Sequence, residues 1–212
     1  TLSSGTGFSK SGYRLIGWSK TSGENNTPDF DLGGNYVANN VGLAGTVNTL
    51  YAVWEKSEYT LTIHYVYENQ TQAAKDYKNK IPSNQSFEVV SPSIPGYTPD
   101  QASVSGTMLD RDVDVTVTYT KRTDLTATVN YYWNGTTETV HESETVTGLT
   151  FQQTLEKSPI TTVEGYTPVS KASQTITIGT GENVINFYYY KNVELTANGD
   201  EVTYDGNEHK VT

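Results

Sequence analysis

Four groups of residues in this chain have types and spacings that could support chemistry. Asp110, Asp112 and Asp114 alternate around Arg111 and Val113. On a strand, that alternation puts all three carboxylates on one face, and hard oxygen donors suit a calcium ion. The run lacks the glycine and distal glutamate of an EF-hand loop. A solvated strand edge, whose charges oppose edge-to-edge pairing, is the plainer expectation. Asp29 and Asp31 flank Phe30 as a second carboxylate pair. Glycoside hydrolysis would need a cleft between such carboxylates, and the surrounding sequence reads as a loop. His64, His141 and His209 lie in three separate segments, whereas a zinc site or a catalytic triad needs its members together. The expectation is a chain without metal, cofactor or catalytic centre, and not an enzyme.

The remaining group is aromatic. Leu125, Ala127, Val129, Tyr131 and Trp133 alternate along one predicted strand and are placed on its inner face. Tyr132 then points outward. On the closing strand Ile185, Phe187 and Tyr189 are placed inside, which turns Tyr188 and Tyr190 outward. If the two strands are neighbours, Tyr132, Tyr188 and Tyr190 share one exposed face, flanked by Asn and Thr donors. Flat rings beside such donors suit sugars, and exposed apolar patches often mark interaction sites. The competing expectation is ordinary cross-strand filler.

The elements that would position these rings belong to a repeat. Ile94-Pro95-Gly96-Tyr97-Thr98-Pro99 returns 69 residues later as Val163-Glu164-Gly165-Tyr166-Thr167-Pro168, with an echo at Gly12-Tyr13. Gly permits backbone conformations that other residues avoid, Pro cannot donate to a sheet ladder, and Tyr can anchor a turn on a core. A recurring turn-plus-anchor signals a repeated module. Tyr59, Leu61, Ile63, Tyr65 and Tyr67 alternate with Thr60, Thr62 and His64, which predicts a half-buried strand. Val113, Val115, Val117 and Tyr119 do the same for a closing strand. Gln70 to Lys80 reads as a helical turn or a long hairpin loop, and Leu149 to Lys157 as one or two helical turns. Asn134-Gly135 is a hairpin-turn signal.

Composition agrees with β structure. Tyr outnumbers Phe and Trp, 16 against 5 and 3, and Thr and Val recur throughout. A formal net charge of -10 disfavours nucleic acid and anionic membrane surfaces, which call for basic patches. With no Cys, disulfides and thiolate metal sites are excluded. No apolar run is long enough to span a bilayer. The abrupt ends predict a segment of a longer chain.

Four segments follow: 1–56, 57–122, 123–192 and 193–212. In the first, Phe8, Gly12-Tyr13, Gly17-Trp18 and Leu50-Tyr51-Ala52-x-Trp54 resemble the Listeria–Bacteroides repeat, the B-repeat of internalin-type surface proteins, with its opening strand missing. The second and third resemble the MucBP (mucin-binding protein) repeat of Gram-positive surface proteins. The resemblance rests on Thr62-Ile63-His64-Tyr65-Val66-Tyr67 and Thr128-Val129-Asn130-Tyr131-Tyr132-Trp133, the Gly-Tyr-Thr-Pro turn, and a Val/Tyr-rich closing strand ending in Lys121 or Lys191. In the fourth, Val202 to His209, with its Tyr204-Asp205-Gly206, is similar to the opening of YDG-type surface repeats.

These resemblances imply a mainly β fold: tandem, small, β-grasp-like (ubiquitin-like) modules with little helix, in an extended string of beads. They imply a non-catalytic region of a bacterial cell-surface protein, anchored to the wall through a region outside this segment. Its partners would be host mucin glycans or glycoproteins and neighbouring domains of the same polypeptide, with no direct membrane contact. The alternative is a passive stalk that holds a distal domain away from the wall.

Overall fold

A computed structural model describes residues 1–24, 26–36 and 49–195, and over these the chain is all β, without helix. It divides into two compact units, residues 1–120 and 121–212. Most of the segment expected to open a YDG-type repeat, with His209, lies outside the described residues.

The first unit opens with an antiparallel ribbon of β1 (Tyr13–Ser19) and β2 (Tyr51–Lys56). Trp18 and Val53 are its buried hydrophobic residues, and Phe8 packs edge-on against Trp18 with ring centroids 5.0 Å apart. The approach is close. A Cβ on Gly17 would lie 2.5 Å from Pro28 Cβ and 2.6 Å from the Phe30 carbonyl oxygen.

Six strands follow: β3 (Glu58–Tyr67), β4 (Gln72–Pro82), β5 (Ser86–Val90), β6 (Tyr97–Pro99), β7 (Ser103–Thr107) and β8 (Val113–Lys121). Four of them form a mixed sheet in the order β4-β3-β8-β6, and β5 and β7 make a separate pair. β3 and β8 lie parallel at the centre. That parallel pairing needs a long crossover, which β5 to β7 supply where a β-grasp commonly has a helix. Alternation along β3 buries Leu61, Ile63 and Tyr65, which meet Val117 and Tyr119 of β8, Ile81 of β4, Val104 of β7, and Met108.

The second unit repeats the plan. Its strands are β9 (Leu125–Trp133), β10 (Thr139–Leu149), β11 (Thr154–Lys157), β12 (Tyr166–Pro168), β13 (Gln174–Thr177) and β14 (Val184–Lys191). The mixed sheet runs β10-β9-β14-β12, with β11 and β13 paired apart. Val129, Tyr131, Ile185, Phe187 and Tyr189 fill one core cluster, and Leu125, Ala127, Leu149 and Ile178 a second.

The Gly-Tyr-Thr-Pro motif is a tight turn running into a short edge strand in both units. Tyr97 N–H donates to the Ile94 carbonyl and Tyr166 N–H to the Val163 carbonyl, both at 3.1 Å. Gly96 and Gly165 sit at φ of 81° and 74°, the third-position conformation that such turns reserve for glycine. Tyr97 and Tyr166 pack on the two cores, and a core tyrosine pegs the loop before each turn. Tyr119 Oη donates to the Pro92 carbonyl at 2.6 Å and Tyr189 Oη to the Ile160 carbonyl at 3.0 Å.

Three local expectations are overturned. The stretch from Gln70 to Lys80 is neither helical turn nor loop but most of β4, an edge strand in register with β3. Ala73, Ala74 and Tyr77 pack on the core, and that packing outweighs the helix propensity of alanine. Leu149 to Lys157 is the end of β10, a tight turn at Gln152 (φ 64°) and β11. Trp133 is 40% exposed rather than inward-facing. It is the last residue of β9, where the core has ended and the Asn134-Gly135 turn begins.

Candidate functional site

The outward face of the second unit follows from strand parity and register. Side chains alternate along β9 and β14, so the rows that bury Val129, Tyr131, Phe187 and Tyr189 present Thr128, Asn130 and Tyr132 on one strand. They present Asn186, Tyr188 and Tyr190 on the other. β9 and β14 pair in parallel with Asn130 opposite Asn186 and Tyr132 opposite Tyr188. The Tyr132 and Tyr188 rings lie 6.2 Å apart between centroids, tilted by 39°. Tyr188 is 40% and Tyr190 55% exposed. Tyr190 stands opposite Thr167 of β12.

Polar groups continue the face. Asn130 Nδ2 donates to Asn186 Oδ1 at 3.0 Å, and Ser143 Oγ donates to Asn130 Oδ1 at 2.8 Å. Beyond Asn130, Thr126, Thr128, Glu182, Asn183 and Val184 line an open groove of about 360 Å³. A smaller cleft of about 180 Å³ lies beside Tyr188, against Val169, Ser170 and Gln174. One strip therefore carries aromatic rings at one end, amides in the middle and a shallow polar groove at the other end.

The first unit has the same scaffold with different chemistry. The register partners Val66 and Thr118 stand where Tyr132 and Tyr188 stand, and His64 and Thr116 replace Asn130 and Asn186. His64 Nδ1 is 2.7 Å from Asp76 Oδ2, and Nε2 is 4.0 Å from Asp114 Oδ1. His141 belongs to the second unit, edge-on to the Tyr131 ring at 5.3 Å.

The three aspartates considered for calcium are divided among different tasks. Asp110 and Asp112 precede β8, which begins at Val113, so only Asp114 lies on the strand. Asp110 accepts hydrogen bonds from Ser83 and, at 2.7 Å, from Ser11. Those two bonds, Ser83's first, hold its carboxyl below the usual carboxylate value. Asp112 accepts the Thr60 N–H at 2.7 Å. Among the described residues no cluster of three or more His, Cys, Asp or Glu side chains is arranged to hold a metal. Asp29 fastens a loop, accepting from Lys20 N–H at 2.7 Å and Ser19 Oγ at 3.0 Å.

Residues 82–123 match the Muc B2-like domain family. Among solved structures, the chain is similar to the MucBP domain of the adhesion protein from Pediococcus pentosaceus. Identity there is 27%, the match covers 31% of this chain and 99% of that one, and the TM-score is 0.25. It is also similar to the type 2 repeat of the mucus binding protein MUB from Lactobacillus reuteri, with 21% identity, 52% and 76% coverage and a TM-score of 0.29. A third similarity, at 12% identity with 63% and 98% coverage and a TM-score of 0.25, is to SHIRT domains 3-4 of a streptococcal cell surface protein. No curated protein sequence matches the chain significantly.

Two features escaped the sequence. The Ser143–Asn130–Asn186 relay depends on β10, whose register shifts at several points against β9, so no alternation rule places Ser143. The Asp110 contacts join residues 27 and 99 positions apart. Their only local signal is Asp110's place outside the Val113–Tyr119 alternation.

Proposed function

We propose that this chain is a non-catalytic adhesion segment of a bacterial cell-surface protein, and that its second unit binds host mucin-type glycan through Tyr132, Tyr188 and Tyr190. The observation that carries the reading is the in-register pairing of Tyr132 with Tyr188, with Tyr190 exposed two residues on. Aromatic rings of this kind cover the apolar face of a pyranose, and neighbouring amides and hydroxyls take its polar rim. The Muc B2-like match at residues 82–123 supports a surface-adhesion setting. In this reading residues 1–56 are a Listeria–Bacteroides-type repeat, residues 57–122 and 123–192 are mucin-binding-type modules, and residues 193–212 open a further surface repeat. The parent protein is extracellular and anchored to the wall elsewhere in its sequence.

The spacer reading has one observation in its favour. Asp110 ties the Ser11-Gly12 turn ahead of β1 to Ser83 after β4, a connection that stiffens the first unit without presenting any ligand group.

Retention of the 212-residue chain on immobilised mucin, with deglycosylated mucin as control, tests the proposal. Saturable retention that disappears on deglycosylation is the expected result. Equal retention on both surfaces would overturn the glycan reading in favour of a polypeptide ligand, and no retention would overturn it and leave the spacer.

A further inference from the structure

The amide relay beside the tyrosines runs from Ser143 through Asn130 to Asn186. Ser143 donates to Asn130 Oδ1, and Asn130 Nδ2 donates to Asn186 Oδ1. Each carboxamide oxygen thereby accepts one of these bonds. Asn186 Nδ2 is left with two N–H donors and no partner among the described residues, on a side chain only partly exposed. The nearest aromatic neighbour on the same strand face is Tyr188, two residues on, a spacing of about 6.6 Å.

We infer that Asn186 selects the ligand, and that the ligand is a glycan bearing an N-acetylhexosamine. The inference rests on the glycan reading of this same face. A sugar hydroxyl is both donor and acceptor. Set against Asn186 Nδ2, which can only donate, it uses its acceptor half alone and its own O–H must find a separate partner. An acetamido carbonyl is acceptor-only and matches Asn186 Nδ2 without that penalty. Its methyl group is apolar and meets the Tyr188 ring, and a pyranose stacked on Tyr188 spans the distance to Asn186 with its acetamido arm. Among Thr128, Asn130, Tyr132, Asn186, Tyr188 and Tyr190 there is no charged side chain, so a neutral sugar suits this part of the strip, with Glu182 in the groove beyond it.

The test uses the full chain and methyl glycosides as probes. N-acetylglucosamine and N-acetylgalactosamine are compared with glucose and galactose by ligand-observed and protein-observed NMR titration. The key variant is Asn186→Asp. It keeps an oxygen for Asn130 to bond, exchanges the outward donor for a second carboxylate oxygen, and adds a charge that both classes of neutral sugar meet alike. The expected result is an acetamido preference of about fivefold in the natural chain, the size of one net hydrogen bond, abolished in Asn186→Asp with the β14 amide shifts otherwise unchanged. Equal binding of acetylated and unacetylated sugars would overturn this inference while leaving the glycan reading intact. A preference that survives in Asn186→Asp would also overturn it, by placing the donor elsewhere. Failure of every sugar to bind would remove the glycan reading and this inference together.

Discussion

Asp110 accepts a hydrogen bond from Ser83, a side chain only 1% exposed, while its other carboxylate oxygen takes the Ser11 hydroxyl. Around this pair the backbone is stitched as well. Ser57 N–H donates to the Gly12 carbonyl at 2.9 Å and Ser83 N–H to the Ser57 carbonyl at 2.8 Å. A carboxylate thus fastens the turn ahead of the first ribbon to the end of β4. At the register-equivalent point of the second unit, where β10 ends, Phe151 replaces Ser83, so the fastening belongs to the first unit's own sequence.

Acidification should loosen that fastening. The Asp110 carboxyl is held below its usual value, so its contribution is complete above the ordinary aspartate value of about 3.9. It is lost as pH falls through the lower folded value. Hydrogen exchange of the Trp18 indole N–H, which donates to the Ser3 carbonyl at 3.0 Å, reports on the adjoining ribbon. Exchange should accelerate below about pH 4, and Asp110→Asn should show faster exchange already at neutral pH with a flatter acid dependence. Gly12→Ala should act in the same direction, because Gly12 sits at φ 76° and a Cβ would lie 2.7 Å from Ser83 Oγ. Identical exchange in all three proteins would contradict the assignment.

Tyr119 and Tyr189 each fix the loop before a Gly-Tyr-Thr-Pro turn. Tyr119→Phe and Tyr189→Phe should each lower stability by about 1 kcal/mol, since a carbonyl loses its donor in a mostly buried site, and urea titration measures this. Burial pushes both phenols above the ordinary tyrosine value. Their neutral forms therefore stabilise the fold fully below about pH 10, and the contribution is lost as pH rises through the higher folded values. Alkaline unfolding monitored by far-ultraviolet circular dichroism should set in above pH 10 in the natural chain.

Tyr132→Ser, Tyr188→Ser and Tyr190→Ser should each weaken retention on mucin. The stability cost of losing the cross-strand pair should stay within about 1 kcal/mol. Parallel mucin retention and chemical denaturation separate the two effects. Loss of retention only in proportion to unfolding would mean that the rings are sheet filler.

Because the two units share register, the aromatic strip should be transferable. Val66→Tyr, Thr118→Tyr and Thr120→Tyr together place rings on β3 and β8 where the second unit carries Tyr132, Tyr188 and Tyr190. The triple variant should gain avidity, seen as slower release from a mucin-coated sensor. Release at the natural rate would show that the rings alone do not make the site, and that the Asn130–Asn186 amides are needed beside them.

Much of this was legible in residue order. Alternation is a local property, so the inner rows Leu61-Ile63-Tyr65 and Val129-Tyr131 and the outward directions of Tyr132, Tyr188 and Tyr190 follow from parity along a single strand. The Gly-Tyr-Thr-Pro turn is also local, because only glycine sits easily at its positive φ. Which strands lie together is not local. Only the folded sheet brings Tyr188 opposite Tyr132 across 56 positions and sets Ser143 against Asn130. Only tertiary packing makes β4 a strand, since Ala73 and Ala74 carry no strand preference of their own and are held by the core beneath them. The same holds for Asp110, whose partners depend on loops that no periodicity governs. Sequence by itself determined the β rows, the repeat and the candidate rings. Tertiary structure decided the neighbours, because register and docking are settled by contacts between residues far apart in the chain.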